Sequence, residues 1–244
     1  MPYISLFTFE KKLDLNNVCE SLNGKRSDNF WITAAPSKYN KEEIFIQYWY
    51  YEDLEESFNK VFEEEDAYEI VNFLKQNGKN KVLRRIYCFI NIKSNILEIY
   101  RADERVKEIL EIFSKCLKVK FKQLVIKSHE IERILRYAEK ISSATFKNIH
   151  SLKMEIMKGD SLQNNLKFKH HMKYFRNSLR SISFVPKIRY LNNSKYNVFL
   201  DGDKGLIGFS ESEVFKWRPR FEIRQIIQII ASCNGLLKGV EDKY

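Results

Sequence analysis

The spacing of apolar residues in the first half of the chain changes repeatedly between a strand period and a helix period. Alternation predicts strands at four places: 2–9, 30–33, 43–51 and 119–126. A hairpin is predicted over Arg84–Tyr100 around Lys93–Asn95. Residues 86–90 are apolar on both faces, so we expect the first strand of this hairpin to be central in a sheet.

Helical spacing occurs between these strands. A period of 3.6 residues predicts helices that begin at Asp14, at Asp66 and at Asp103. A fourth helix should start with Ser128 as its cap and run to Ile141. The helix from Asp66 would bury three apolar side chains: Ile70, Phe73 and Leu74.

The second half has more alternating segments. Strands are predicted at 151–158, 166–170 and 180–184, followed by a hairpin over 196–209. A helix that Pro219 begins should close the chain. Its buried face would hold Ile223, Ile226, Ile227 and Ile230.

These elements predict an α+β fold with two sheet-bearing lobes, residues 1–144 and 145–244, built mostly of antiparallel strands with helices on one face. No linker separates the lobes, so we expect a shared core or a continuous sheet. The order of elements over Arg84–Ile141 is similar to saddle-like folds of the TATA-binding and CENP-L/CENP-N types. That architectural resemblance implies a pseudo-duplicated saddle and favours nucleic-acid binding.

Charge is distributed very unevenly. The chain carries a net charge of +10, and residues 145–200 hold eight Lys and three Arg against Glu155 and Asp160 alone. A local excess of positive charge predicts a polyanionic partner, most commonly nucleic acid. Residues 52–69 are the acidic counterpart, with nine acids against Lys60. They would suit a helix N-terminus, or form a contact face or a flap over the basic surface.

The predicted strands place basic residues on one sheet face, because residues two apart in a strand share a face. Lys167 with Lys169, and Lys187 with Arg189, would point outward together, while Phe168 points inward. The expected phosphate contacts are Lys153, Lys158, Lys167, Lys169, Lys173, Arg176, Arg180, Lys187, Arg189 and Lys195. The candidate stacking rings are Tyr174, Phe175, Tyr190 and Tyr196. Alternatively, these lysines only prevent edge pairing of strands.

A second anchor for phosphate is predicted at the start of the last helix. Arg220 and Arg224 are four residues apart and would share its outer face. The alternative is that they pair with nearby acids, which are Glu211, Glu213 and Glu222.

Catalytic and cofactor signals are weak. The cysteines at 19, 88, 116 and 233 form no CxxC pair, which excludes a zinc ribbon, and no phosphate-cradling glycine loop is present. Asp201 and Asp203, with Glu211 and Glu213, allow a metal-dependent nuclease, although Asp201–Gly205 also has the composition of a hairpin turn. Neighbouring His170 and His171 would face opposite sides of a strand.

The sequence therefore predicts a nucleic-acid-binding protein without catalytic activity, cofactor or bound metal, and with little sequence preference. An assembly subunit with acidic and basic faces, joining copies of itself or a partner protein, is the first alternative, and a nuclease using Asp201 and Asp203 is the second. No signal peptide is recognisable, and no run approaches the roughly 18 apolar residues of a membrane helix. We therefore expect no membrane association and a cytoplasmic or nuclear location.

Overall fold

One antiparallel sheet forms the framework of the chain in the computed structural model, which describes residues 3–38, 40–59, 64–149, 151–192, 194–210 and 219–237. The first half contains β1 (Tyr3–Thr8), α1 (Leu15–Leu22), β2 (Phe30–Pro36), β3 (Glu43–Asp53), α2 (Leu54–Asn59), α3 (Glu64–Gln76), β4 (Lys81–Asn91), β5 (Ile96–Ile99), α4 (Arg105–Leu117) and β6 (Lys122–Gln123). The second half contains α5 (Ser128–Leu135), β7 (Ala138–Ile149), β8 (Leu152–Lys158), α6 (Leu166–Tyr174), β9 (Leu179–Pro186), β10 (Val198–Asp201), β11 (Leu206–Phe209) and α7 (Arg220–Cys233).

The sheet is continuous across both halves. Its strand order is β2-β3-β4-β5-β1-β11-β10-β9-β7-β8, and β6 adds to β1. The first strand of the chain joins the halves, because β1 pairs with β5 on one side and with β11 on the other. The α+β class is therefore confirmed, whereas a pseudo-duplicated saddle is not.

The two halves bury opposite faces of this sheet. On β5, Leu97 and Ile99 belong to a hydrophobic cluster with α1 and α4, which we call the back face. Ile96, also on β5, points the other way into a cluster with α5 and α7. We call this side of the sheet the front face. Alternation along the strands produces this division, since successive side chains point to opposite sides. Helices thus cover one face within each half, but the covered faces differ.

Several predicted elements have different limits in the structure. Residues 166–170 form the first turns of α6 and not a strand, because the Asn165 side chain caps the helix by accepting from the Phe168 N–H at 3.1 Å. The helix after residue 127 ends at Leu135, and Ala138–Ile149 is strand β7. Of residues 119–126, only β6 pairs as a strand.

Two further side-chain predictions are corrected. Ser128 is the first residue of α5 rather than its cap, and its hydroxyl lies 2.9 Å from the Leu179 carbonyl oxygen. On α3, Val71 is buried, whereas Ile70 and Phe73 are exposed. Helix α3 packs against α2, and Val71 is the position that this packing buries.

Candidate nucleic-acid interface

Helix α6 separates the lysines that a strand would have aligned. Residues two apart in a helix point to different sides, so Lys167 and Lys169 do not share a face. Lys167 reaches back to β8, where its Nζ lies 2.5 Å from the Glu155 carboxylate. The hydrogen bond from Lys167, helped by one with His171 at 2.9 Å, lowers the pKa of Glu155 below its ordinary value. Lys167 therefore holds the helix on the sheet.

The outer surface of α6 carries the exposed cations. Lys169 and Lys173 are one helical turn apart and share a side, and Arg176 follows in a short 3₁₀ turn. The Lys173 Nζ lies 5.0 Å from the ring centre of Tyr174, which is 59% exposed. None of these three cations forms an ion pair within the part of the chain that the structure describes. We call Lys169, Lys173, Tyr174 and Arg176 the α6 surface.

The other basic residues do not complete a basic sheet face, and that part of the prediction is wrong. Lys153 and Lys158 lie on β8, at the edge of the sheet. Lys187 and Arg189 follow β9 in an irregular connection that extends neither strand nor helix. Lys195, which precedes β10, pairs with Glu139 of β7 at 2.6 Å. The cations do not share one face, because α6 and the connection after β9 do not have the predicted strand geometry.

Arg180 and the turn acids pair with each other. Asp203 lies 2.7 Å from the Lys147 Nζ and 3.7 Å from Arg180, while the Asp201 carboxylate accepts the Lys204 N–H at 3.1 Å. Asp203 therefore holds the turn between β10 and β11 against β7 and β9, and Asp201 stabilises the turn itself. Among the described residues, no cluster of three His, Cys, Asp or Glu could hold a metal ion. Glu211 and Glu213 lie outside the described residues.

Of the four predicted stacking rings, Tyr174 is the exposed one. Phe175 packs partly buried against His171, with ring centres 5.5 Å apart. The Tyr190 hydroxyl donates to the Pro186 carbonyl at 2.7 Å. Tyr196 is buried edge-on against Tyr190. These contacts give Phe175, Tyr190 and Tyr196 packing roles in the second half.

Arg220 and Arg224 point into the protein, so the predicted outer phosphate anchor is wrong. The Arg220 guanidinium lies 2.5 and 2.9 Å from the Glu98 carboxylate and also bonds Glu43. Arg224 donates to Glu43 at 2.8 Å. Both carboxylates are only 1% exposed. Of the predicted acid partners, Glu222 instead accepts the Leu191 N–H at 2.8 Å.

This buried ion cluster joins α7 to strands β3 and β5. Burial would raise the pKa of Glu43, but hydrogen bonds and charges from Arg224 and Arg220 outweigh it and lower that pKa. Burial raises the pKa of Glu98 despite the opposing charge of Arg220. A cavity of about 120 Å³ borders the cluster. Because two guanidiniums face two carboxylates, the cluster has no excess charge to attract a ligand, and we interpret it as structural.

The acidic segment is partly neutralised by its own surroundings. Arg84 donates to Glu52 at 3.1 Å, and Lys75 pairs with Glu55. The side chains of residues 59–67 lie outside the described part. The Glu52–Arg84 pair joins β3 to β4, and the Glu55–Lys75 pair joins α2 to α3.

The aromatic face of the first half is a feature that the sequence analysis did not identify. The register of β2, β3 and β4 aligns front-face side chains in four rows: Trp31–Trp49–Arg85, Thr33–Gln47–Tyr87, Ala35–Phe45–Phe89, and the pair Tyr51–Leu83. Alternation of Phe45, Gln47, Trp49 and Tyr51 along β3 was visible in the sequence. Their alignment with Trp31 and Arg85 required the strand pairing.

Rings and one guanidinium form an unbroken series on this face. The Trp31 and Trp49 rings are nearly parallel, with centres 5.5 Å apart. The Arg85 guanidinium lies 4.8 Å from the Trp49 ring centre and 4.5 Å from that of Tyr87. Tyr87 in turn stacks on Phe45 at 5.7 Å. The two tryptophans and Tyr87 are partly exposed, and Arg85 is exposed.

Comparison with known proteins leaves the function open. No protein-family model matches the chain, and no curated protein matches it. No helix in the described part has the length and apolar character needed to cross a membrane.

Proposed function

We propose that this chain is a nucleic-acid-binding protein without catalytic activity, and that the α6 surface contacts the phosphate backbone. The observation that carries the proposal is that Lys169, Lys173 and Arg176 are exposed without ion pairs among the described residues. They lie in a stretch, residues 161–200, that holds eight Lys and Arg and no acid. A surface that served solubility alone would mix both signs of charge.

The chemistry of this surface suits a phosphate chain. Lysine and arginine neutralise phosphates and release condensed counterions, which supplies affinity that does not depend on sequence. Tyr174 beside Lys173 offers a ring that can contact a sugar or base. Phosphate contacts carry no sequence information, so we expect weak sequence preference.

Reversing two charges on α6 should strongly weaken binding. We expect Lys169→Glu/Lys173→Glu to reduce duplex DNA affinity at low salt by about tenfold or more. The slope of log K against log salt should become shallower by about 2, because each phosphate contact contributes about 0.9. Fluorescence anisotropy with a labelled duplex over a salt series measures both quantities.

A matched control separates this surface from net charge. Lys107→Glu/Lys115→Glu makes the same charge change on exposed positions of another helix, α4. It should leave affinity within about threefold of wild type. Equal losses in the two double variants would show that only total charge matters and would contradict a site on α6.

An assembly subunit is a second candidate, and one observation favours it. Strand β8 ends the sheet, and its side chains Leu152, Met154 and Ile156 are each more than half exposed. An edge strand with an exposed apolar row can pair with an identical strand of another copy.

Replacing one residue of this row tests self-assembly. If β8 joins two copies, the wild type should be a dimer at micromolar concentration. Ile156→Lys should raise the dissociation constant of that dimer at least tenfold. Light scattering over a concentration series measures this. Leu166→Lys, at an exposed position outside β8, is the control. A monomeric wild type at every concentration would reject this candidate.

A further inference from the structure

Among the described residues, the front face of β2, β3 and β4 is open except at Phe89, which Arg220 of α7 covers. Helices α1 and α4 pack against the back face of these strands, and α5 and α7 cover the front face farther along the sheet. The Arg84 guanidinium donates to the Ser57 hydroxyl of α2, and Arg84 lies opposite Tyr50, a buried back-face residue, so α2 is on the back-face side. The aromatic face therefore remains accessible among the described residues.

Charge on this face favours an anionic ligand. The four rows of the aromatic face contain one cation, Arg85, and no carboxylate. Two front-face acids of β3 flank the rows: Asp53 lies opposite Lys81 at one end, and Glu43, at the other end, is neutralised by Arg220 and Arg224. A polar pair, Thr33 donating to Gln47 at 3.1 Å, lies among the rings. The face thus combines ring surface, a positive charge and hydrogen-bonding side chains.

The position of Arg85 argues against a cationic ligand. An exposed face of aromatic rings can hold a cation such as a methylated amine, but here the protein supplies the cation itself. The guanidinium covers parts of Trp49 and Tyr87 and still has donors directed to solvent. Those donors suit a phosphate, and the neighbouring rings suit flat heterocycles.

We infer that the aromatic face binds single-stranded nucleic acid, with unpaired bases stacking on Trp31 and Tyr51 and with Arg85 contacting phosphate. Bases in a duplex are already stacked on one another, so their faces are unavailable to protein rings. An open sheet face with aromatic side chains on neighbouring strands can accept splayed bases side by side. The inference rests on the proposed function in that both sites would serve the same class of polymer.

The aromatic face and the α6 surface are far apart, so they can be tested separately. Five strands lie between β4 and β7 in the sheet. At about 4.8 Å for each strand spacing, that separation is roughly 30 Å. A substitution in one region should leave the structure of the other intact.

Affinity for two forms of nucleic acid, measured with ring variants, tests the inference. The probes are labelled twelve-nucleotide oligo-dT and oligo-U strands and a DNA duplex of equal length. Tyr51→Ala should raise the dissociation constant for a single strand about fivefold or more, which corresponds to the loss of one stacked base. Arg85→Gln should raise it by about the same factor, because it removes a phosphate contact. Binding of a single strand should also quench tryptophan fluorescence. Duplex affinity should stay within about twofold of wild type.

The chain offers a close control for exposure. Leu83 lies opposite Tyr51 on the same face and is equally exposed, at 44% against 42%, but has no ring. Leu83→Ala should therefore leave single-strand affinity unchanged within about twofold. Thermal unfolding followed by circular dichroism confirms that every variant compared is folded.

The two sites give separable results. If Lys169→Glu/Lys173→Glu abolishes all binding while Tyr51→Ala and Arg85→Gln change nothing, the proposed function stands and the aromatic-face inference is overturned. If the ring variants lose single-strand affinity and the lysine variant does not, the inference stands and the α6 surface is rejected. Equal losses in Leu83→Ala and Tyr51→Ala would overturn stacking. Self-association through this face that excludes oligonucleotide would also overturn the inference.

Discussion

Arg220→Met should reduce the free energy of unfolding by about 3–5 kcal/mol, because it leaves two buried carboxylates without their shared partner. The Arg220 guanidinium bonds Glu98 and Glu43 and lies 3.7 Å over the Phe89 ring centre. It also donates to the Tyr100 hydroxyl at 2.9 Å. Methionine fills similar space but satisfies none of these acceptors. Urea unfolding followed by circular dichroism gives the difference.

The size of this effect should depend on pH. Without Arg220, the folded-state pKa of Glu98, already raised by burial, should rise further above its unfolded value. A raised folded pKa means that stability is retained below the unfolded pKa and is lost as pH rises through the folded one. The deficit of Arg220→Met should therefore shrink as pH is lowered from about 7 toward 5.

Arg224→Met is the appropriate comparison. Arg224 bonds Glu43 alone in the cluster, and Arg220 remains to pair with that carboxylate. We expect a smaller loss, about 1–2 kcal/mol. Equal effects of the two substitutions, or a loss below about 1 kcal/mol for Arg220→Met, would show that the cluster is not a buried clamp.

Gly205→Ala should destabilise the protein by about 2–5 kcal/mol through two effects. Gly205 has φ +51°, a left-handed conformation that costs other residues about 1–2 kcal/mol. An added Cβ would also overlap the Leu124 carbonyl oxygen and approach that of Leu6 to 3.2 Å, and overpacking of this kind costs about 1–3 kcal/mol. The Gly205 carbonyl meanwhile accepts the Leu6 N–H at 2.9 Å, so the backbone cannot easily move.

Gly24→Ala isolates the conformational part of this cost. Gly24 also has a positive φ, +75°, but nothing lies within 4 Å of a Cβ at that position. We expect a loss of about 1–2 kcal/mol from conformation alone. The difference between the variants, from the same urea experiment, measures the close approach at Gly205. If both lose the same stability, the turn is not packed against Leu124 and Leu6.

These two regions join the first and second halves of the chain. The Arg220 cluster ties α7 to β3 and β5, and the Gly202–Gly205 turn bonds β1 and Ile126. Both therefore connect elements distant in sequence, in addition to the pairing of β1 with β11. Disrupting either the Arg220 cluster or the Gly202–Gly205 turn should therefore make unfolding of the whole sheet less cooperative.

Local pattern determined most of the elements, because alternation and helical spacing reflect which side chains a sheet or a helix buries. The hairpins β4–β5 and β10–β11 occur as predicted, and Cys88, within the doubly apolar run, is fully buried in a central strand. Helix α7 begins after Pro219 and buries the four isoleucines predicted. The positive stretch was equally readable, since charge is additive along the sequence.

Tertiary structure decided which of those charges and rings remain available. Lys167 and Arg220 look alike in the sequence, as basic residues beside apolar ones. The fold pairs each with an acid on a strand, Glu155 for Lys167 and Glu98 for Arg220. The five-residue alternation at 166–170 fits a strand or a short helix, and the Asn165 cap with packing on β7 selected the helix. The aromatic face exists only because pairing of β2, β3 and β4 aligns Trp31, Trp49 and Arg85. Strand register depends on contacts between distant segments, and no local pattern contains it.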